Sequence, residues 1–306
     1  MLRYVIKRIL HSLIVMLIVV FVAFLIVRLM PGDPARLLLP DTATEEEVDA
    51  LRTKMGLDKP IFTQFVKYIL GLLQGDFGMS TQYNQPTLRV IANRLPATGR
   101  LAFAVVAVVA LIGIPLGIFA GVKRGKGLEV FVMGFAMLGQ SISSMWLGVL
   151  MIYVFSVKLG WLPALGSGGI AFYIMPVISL AFPMSASIIR NARAGMADTL
   201  SEDYITATYA KGVNDVSIYL KYALRNALIP VVIILGFDLG AQLSGAVVAE
   251  TVFSMTGIGS LMSSSVNTQD YAMVQTLLLV SSFFFTMINF IVDLINARID
   301  PRLTLN

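Results

Sequence analysis

The sequence predicts an all-α integral membrane protein with six transmembrane helices, and three observations predict it. Of 306 residues, 57% are hydrophobic and 13% charged, where soluble domains carry about a quarter charged, and mean hydropathy is +0.81. The apolar residues gather into runs long enough to cross about 30 Å of hydrocarbon, which takes roughly 20 residues at 1.5 Å each. Basic residues cluster at alternate ends of those runs, as the positive-inside rule requires of a polytopic chain.

The six runs are 9–30, 101–122, 130–157, 172–189, 229–249 and 273–295. The first lacks a small-residue cleavage site and leads into Pro31-Gly32-Asp33-Pro34, so it is expected to stay as a span. Arg3, Lys7 and Arg8 precede it; Lys123, Arg124 and Lys126 follow the second run, Arg190 and Arg193 the fourth, Arg298 and Arg302 the sixth. All these groups fall on one side of a six-span chain, which places both termini in the cytoplasm. The net charge of +5 is thereby a topology signal, and a nucleic-acid partner is not expected.

Residues 31–98 are expected to form an external helical segment between span one (1–30 with its terminus) and the core transmembrane region 99–306. Thr44 and Glu47 match a capping box opening a short helix that Gly56 can close. Pro60 suits the start of another, carrying Ile61, Phe65, Tyr68, Ile69 and Leu72 as far as Gly75. Asp76, Phe77 and Gly78 read as a turn. After Pro86, Leu88, Val90, Ile91 and Leu95 predict an amphipathic segment along the membrane interface. Gly113, Gly117 and Gly121 on span two, with Gly236 and Gly240 on span five, repeat every four residues and predict close helix packing, with a substrate-facing groove as the lesser reading.

Residues 199–230 are a polar island between apolar runs, built as two short helices around a glycine. Thr199 and Glu202 fit a capping box for the first helix, Gly212 can take the left-handed conformation that ends it, and Asn214 can cap the second. Val216, Leu220, Ala223, Leu224 and Ala227 recur at helical spacing in that second helix, until Pro230 opens the next span. A stiff helix pair outside the bilayer is a docking element.

The chemistry available is narrow. The chain has no cysteine and one histidine, His11 beside basic residues at the start of span one, so it cannot alone build a His/Cys metal site. The string Gly121 to Gly127 has the wrong glycine spacing for a phosphate-binding loop and glycine where the hydroxyl residue belongs. No serine-hydrolase or zinc-protease motif occurs. Gln140, Ser141, Ser143 and Ser144 in span three can line a polar path or bond between helices. Asp238 in span five, with Gln242 one turn on, either faces water or pairs with a group such as Asn289, whereas Glu250 and Asp293 sit nearer the interfaces, where solvated or hydrogen-bonded structural roles are expected.

Within 199–230, Asp203, Tyr204, Ala210, Lys211, Gly212, Arg225, Asn226, Ala227, Leu228 and Pro230 match the cytoplasmic coupling motif of binding-protein-dependent ABC importers. PGDP at Pro31, GLDKP at Gly56, GDFGMS at Gly75, RLPAT at Arg94, GAVVAETVF at Gly245 and DPR at Asp300 agree with it. Across nearly its whole length the chain resembles the first-type permease subunit of the dipeptide/oligopeptide/nickel importer family. Departures are Thr206, Thr208 and Tyr209, where the family more often has arginine, alanine and arginine, and Thr256 in place of proline.

The resemblance implies the type I ABC importer permease fold in a bacterial or archaeal inner membrane and no catalysis by this chain. It implies a second homologous permease, two ATP-binding cassette ATPases holding ATP and magnesium, and an extracytoplasmic solute-binding protein as partners. The solutes handled by relatives are short peptides, glutathione-like peptides and chelated nickel. It carries the coupling role to Asp203, Tyr204, Ile205, Ala210, Lys211, Gly212, Leu220, Arg225, Asn226 and Pro230, with Tyr204, Ile205 and Leu220 as docking anchors. Gln140, Ser141, Ser144, Asp238 and Gln242 are the candidates for the solute path. The alternative reading is an ion-coupled secondary transporter using Asp238.

Overall fold

The computed structural model describes residues 2–29, 34–37, 39–40 and 42–299. Most of PGDP and all of DPR lie outside them. The described elements are helices, with one isolated antiparallel bridge between Met79 and Pro86. They are α1 (Leu2–Leu29), α2 (Pro34–Leu37), α3 (Glu45–Met55), α4 (Ile61–Leu73), α5 (Thr87–Val122), α6 (Gly127–Ser141) and α7 (Ser144–Met151), which continues as a π-helical stretch (Ile152–Lys158). Then follow α8 (Ala171–Leu200), α9 (Asp203–Ala210), α10 (Asp215–Ser217) with a second π-helical stretch (Ile218–Ala223), α11 (Leu224–Ala227), α12 (Ile229–Leu243), α13 (Val247–Val252), α14 (Ile258–Asn267) and α15 (Tyr271–Ile299).

Among the described residues four helices are long and apolar enough to cross a membrane, and six spans result when each of two bent pairs counts as one. α8 is central, with α5 along one flank, α6 and α7 along another and α12 on a third; α15 packs on α12 and α1 packs on α15. The main core joins Leu101, Val105 and Val109 of α5 to Met175, Val177, Ala181, Ile188 and Ala192 of α8, and to Val231 and Phe253. An Arg8–Asp293 ion pair sets the start of α1 beside the end of α15, so Asp293 is ion-paired where a solvated or hydrogen-bonded role is expected.

The glycine spacings are a packing device. A methyl group built on Gly117 would lie 2.6 Å from both the Ala192 Cβ and the Ile189 carbonyl oxygen, and one on Gly121 2.7 Å from the Met196 Cβ. Gly113 meets Ile188 in the same way, so all three glycines face α8. A methyl on Gly236 would fall 2.0 Å from Val292 of α15. The backbones touch where side chains have been removed.

Three expectations for the spans are corrected. The segment after Pro86 does not lie along the interface: it forms the first turns of α5, and its Val90 and Ile91 are buried against Ile258, Leu261, Met273 and Leu277. Burying those side chains between α14 and α15 outweighs exposing them at a headgroup layer, and the helix runs through Pro96 and Pro115 without ending. Span three is not one run but two helices bent by 90° at Ile142 and Ser143. Span five ends at Leu243, because Gly245 turns the chain at φ 111 into α13.

The 31–98 segment follows its local signals. Both bonds of the Thr44–Glu47 box form, at 2.9 and 3.3 Å, and Gly56 closes α3 at φ 76. Phe65 of α4 meets Phe21 and Phe24 of α1 edge-to-face and Tyr68 stacks on Phe24, with centroids 5.0 to 5.8 Å apart. Asp76 accepts the Gly78 N–H at 2.9 Å, making the expected turn.

The turn is held from far away. Buried Asp270 caps α15 through the Met273 N–H at 3.1 Å and accepts the Ser80 hydroxyl and the Gln82 N–H, while the Thr276 hydroxyl donates to the Phe77 carbonyl at 2.9 Å.

Glu250 is fully buried and hydrogen-bonded, as expected of it: it accepts the Thr98 hydroxyl at 2.6 Å and the Ser260 N–H at 2.9 Å. Thr98 in turn accepts the Ile258 N–H at 2.8 Å, so the carboxylate and one hydroxyl together close the start of α14 against α5. Glu250→Ala leaves both donors unsatisfied beside a void, an expected loss on the order of 3 kcal/mol. It should appear as a lower midpoint in thermal unfolding of the detergent-purified protein. An unchanged midpoint would remove the network from the stability account.

Candidate functional site: the helical elbow and the polar positions of the spans

The 199–230 island folds as an elbow seated on the last turns of α8. Gly212 has φ 77 and its N–H meets the Tyr209 carbonyl at 2.9 Å, so it ends α9 in the left-handed conformation that glycine takes at least cost. Asn214 caps the second arm by accepting the Ser217 N–H at 2.9 Å. Pro230 sits in the first turn of α12, and the two helical stretches meeting there bend by 51°.

Beneath the elbow Met196, Ile205, Ile218, Ala223 and Ala227 form a buried cluster. Gly195 permits the contact: a methyl there would lie 2.6 Å from the Ala227 carbonyl oxygen. The arms are also tied to each other. Asn226 donates to the Tyr204 hydroxyl at 2.9 Å, and that hydroxyl donates to the Tyr222 carbonyl at 3.3 Å.

The capping box at Thr199 does not form. α8 continues through Thr199 to Leu200, Thr199 is buried, and α9 starts after Glu202 without a side-chain cap. Unbroken helix satisfies those backbone groups at no cost in side-chain placement, so the local cap signal loses to packing.

The second arm's predicted apolar stripe also divides. Ala223 and Ala227 are buried, but Val216 is 63% and Leu220 60% exposed, because the wide π-turns rotate Ile218 into the core instead. Ile205 is fully buried and belongs to the elbow's own core, so it is not a docking anchor. Asp203, Tyr204, Ala210, Lys211, Gly212, Leu220, Arg225 and Asn226 are exposed, and Pro230 is half-buried.

Residues that sequence reasoning missed complete this face. Ile118, Phe119, Val122 and Lys123, at the end of α5, line an apolar groove of about 330 Å³ with Val216, Tyr219 and Leu220. Their membership in an apolar span hid them. Glu129 was missed as well: it accepts the Gly125 N–H at 2.6 Å and Arg193 Nε at 2.7 Å, tying the turn after α5 to α8.

The candidate path residues separate into two groups. Gln140, Ser141 and Ser144 lie at the bend between α6 and α7, where Gln140 accepts from the Arg190 guanidinium and Ser141 donates to the Met137 carbonyl at 2.9 Å. Asp238 and Gln242 lie on α12, where Gln242 approaches the Met184 sulfur at 3.2 Å. Helical spacing puts them on one stripe with Val231 and Leu235, both in the core shared with α8. Asp238 is half-buried, and among the described residues neither Asn289 nor any cation pairs with it. No hydrogen bond among the described residues joins the two groups.

Comparison with known proteins agrees with this architecture. The family described as "Binding-protein-dependent transport system inner membrane component" matches residues 113–305, and its N-terminal counterpart matches residues 1–102. The glutathione transport system permease protein GsiC of Escherichia coli K12 is 40% identical over 303 residues, covering 99% of both chains. The protein of that name from Salmonella paratyphi A is 39% identical over the same share. Among solved structures, an inward-facing MetNI methionine ABC transporter aligns with a TM-score of 0.56 at 21% identity, over 70% of this chain and 98% of that one. This likeness supports the type I ABC importer permease fold. The chain belongs to the inner-membrane permease components of binding-protein-dependent ABC transport systems.

Proposed function

We propose that this chain forms half of the transmembrane path of an ATP-driven importer for short peptides or glutathione-like solutes, beside a second homologous permease. The observation that carries the reading is the elbow: a capped, internally hydrogen-bonded lever, seated on α8, that exposes Tyr204, Val216 and Leu220 outside the spans. Exposed apolar and aromatic side chains on a stiff element suit docking to another protein. Two ATPase subunits carrying ATP and magnesium dock there, and their closure moves the spans as rigid bodies. The grouping of Lys and Arg supports cytoplasmic termini and a cytoplasmic elbow, with residues 31–98 outside, where a solute-binding protein delivers its cargo. The name of the GsiC relatives supports glutathione as the first solute to try.

The test is uptake of labelled glutathione by cells expressing this chain with its second permease, receptor and ATPases. Uptake should require the ATPases and survive collapse of the proton gradient. Uptake that ignores the ATPases, or that stops with the gradient, would sink the importer reading.

A further inference from the structure

α12 holds 15 residues, about 22 Å of helix, short of the roughly 30 Å hydrocarbon layer. The chain then returns as α13, an irregular stretch and α14. Irregular backbone in a membrane protein persists where it is buried in protein or lines a water-filled cavity. Here it lines one. A cavity of about 380 Å³ lies between this stretch, the start of α5 and Tyr83.

The lining is rich in hydroxyl and amide groups, among them Ser254, Thr256, Ser263 and Asn267. Thr256, which departs from the family proline, is held by a 2.7 Å bond to Ser167. Ser254 is a non-glycine residue at φ 48, a conformation kept where the surroundings impose it.

Two charged side chains reach the cavity, and they differ. Glu250 is already engaged by Thr98 and Ser260. Arg94 has no ion-pair or hydrogen-bond partner among the described residues, and its guanidinium stands 6.0 Å from the centre of the Tyr83 ring. A guanidinium with free donors in a hydroxyl-lined hollow is built for a bidentate carboxylate.

We propose that this cavity binds the carboxylate of the solute in transit, with Arg94 as the residue that selects for the anionic end. The inference rests on the importer reading above. The size favours a small solute over a protein surface, since small-molecule pockets begin at about 300 Å³, and the surrounding hydroxyls match the amides of a short peptide.

The absence of cysteine from this chain gives a direct assay in the assembled transporter. Ser263→Cys places a single reporter in the cavity, with Asn267→Cys as the second if the first fails to assemble. Labelling of this chain is followed by mass spectrometry with an anionic and a cationic methanethiosulfonate. The anionic reagent should react about tenfold faster, and Arg94→Gln should abolish that preference while Arg94→Lys keeps it. S-methylglutathione should slow labelling several-fold, its diethyl ester should not, and the protection should vanish in Arg94→Gln.

A charge preference indifferent to Arg94→Gln, or equal protection by acid and ester, overturns the proposal. So does protection that appears on adding the solute-free receptor alone, because the carboxylate is then the receptor's. Missing protection with ATP-driven uptake intact rejects this site and leaves the importer reading standing. Uptake independent of the ATPases rejects both.

Discussion

Gly117→Leu should leave no folded protein after detergent extraction, and Gly117→Ala should already lower the unfolding midpoint by several degrees. The methyl of alanine meets a backbone carbonyl and a Cβ at 2.6 Å, neither of which can rotate away. Relief therefore requires α5 and α8 to separate along the seam that joins Leu101, Val105 and Val109 to Ile188 and Ala192. Overpacking of this kind costs about 1–3 kcal/mol for small additions and more for large ones. Gly134→Ala on α6 is the matched control, since a methyl there meets nothing within 4 Å. It should be neutral or slightly stabilising, because alanine favours helix by about 1 kcal/mol over glycine. Equal behaviour of the two variants would mean that glycine content, not the α5–α8 contact, sets stability.

Gly212→Pro should abolish transport while the chain still inserts. Proline fixes φ near −65° and cannot reach the observed 77°, and it removes the N–H that closes on Tyr209. The turn must rebuild, and the Tyr204–Asn226 bond across the two arms is lost with it. The expected readouts are uptake reduced more than about tenfold, which is over 1.4 kcal/mol of coupling, and loss of the ATPases from a pull-down on this chain. Thermal unfolding of the spans should shift less than in Gly117→Ala, because the elbow's core meets α8 and α5 only at their last turns, through Met196, Ile118 and Val122. Retained ATPase binding with retained uptake would show that the elbow is not the lever.

Much of the architecture was legible because bilayer thickness acts on every span alike, and because caps and turns are decided within four residues. Thr44, Gly56, Asp76, Gly212 and Asn214 all follow from local rules. Features set by distant partners were not legible. The Ser80 hydroxyl finds Asp270 across 190 positions, and Thr98 finds Glu250 across 152. Thr199 carried a valid cap signal that lost to continuation of α8, and the apolar run 130–157 gave no sign of the bend at Ser143. At the candidate site, the glycine elbow and its flanking helices could be read from the motif. The inward turn of Ile205 could not, because it follows from packing against Met196 of α8 and Ile218 of the facing arm.

α5 is a single rod of 36 residues, about 54 Å long, nearly twice the thickness of the hydrocarbon layer. One end carries Arg94 beside the hydroxyl-lined cavity, and the other carries Ile118, Phe119 and Val122 beside the elbow. The glycine contact with α8 lies at the elbow's end of that rod, and Gly117 stands about 35 Å from Arg94 along the helix. A tilt of about 10° around Gly117 would swing Arg94 by roughly 6 Å and Val122 by only about 1 Å. In that geometry a small shift beside the elbow would be magnified several-fold at the Arg94 end.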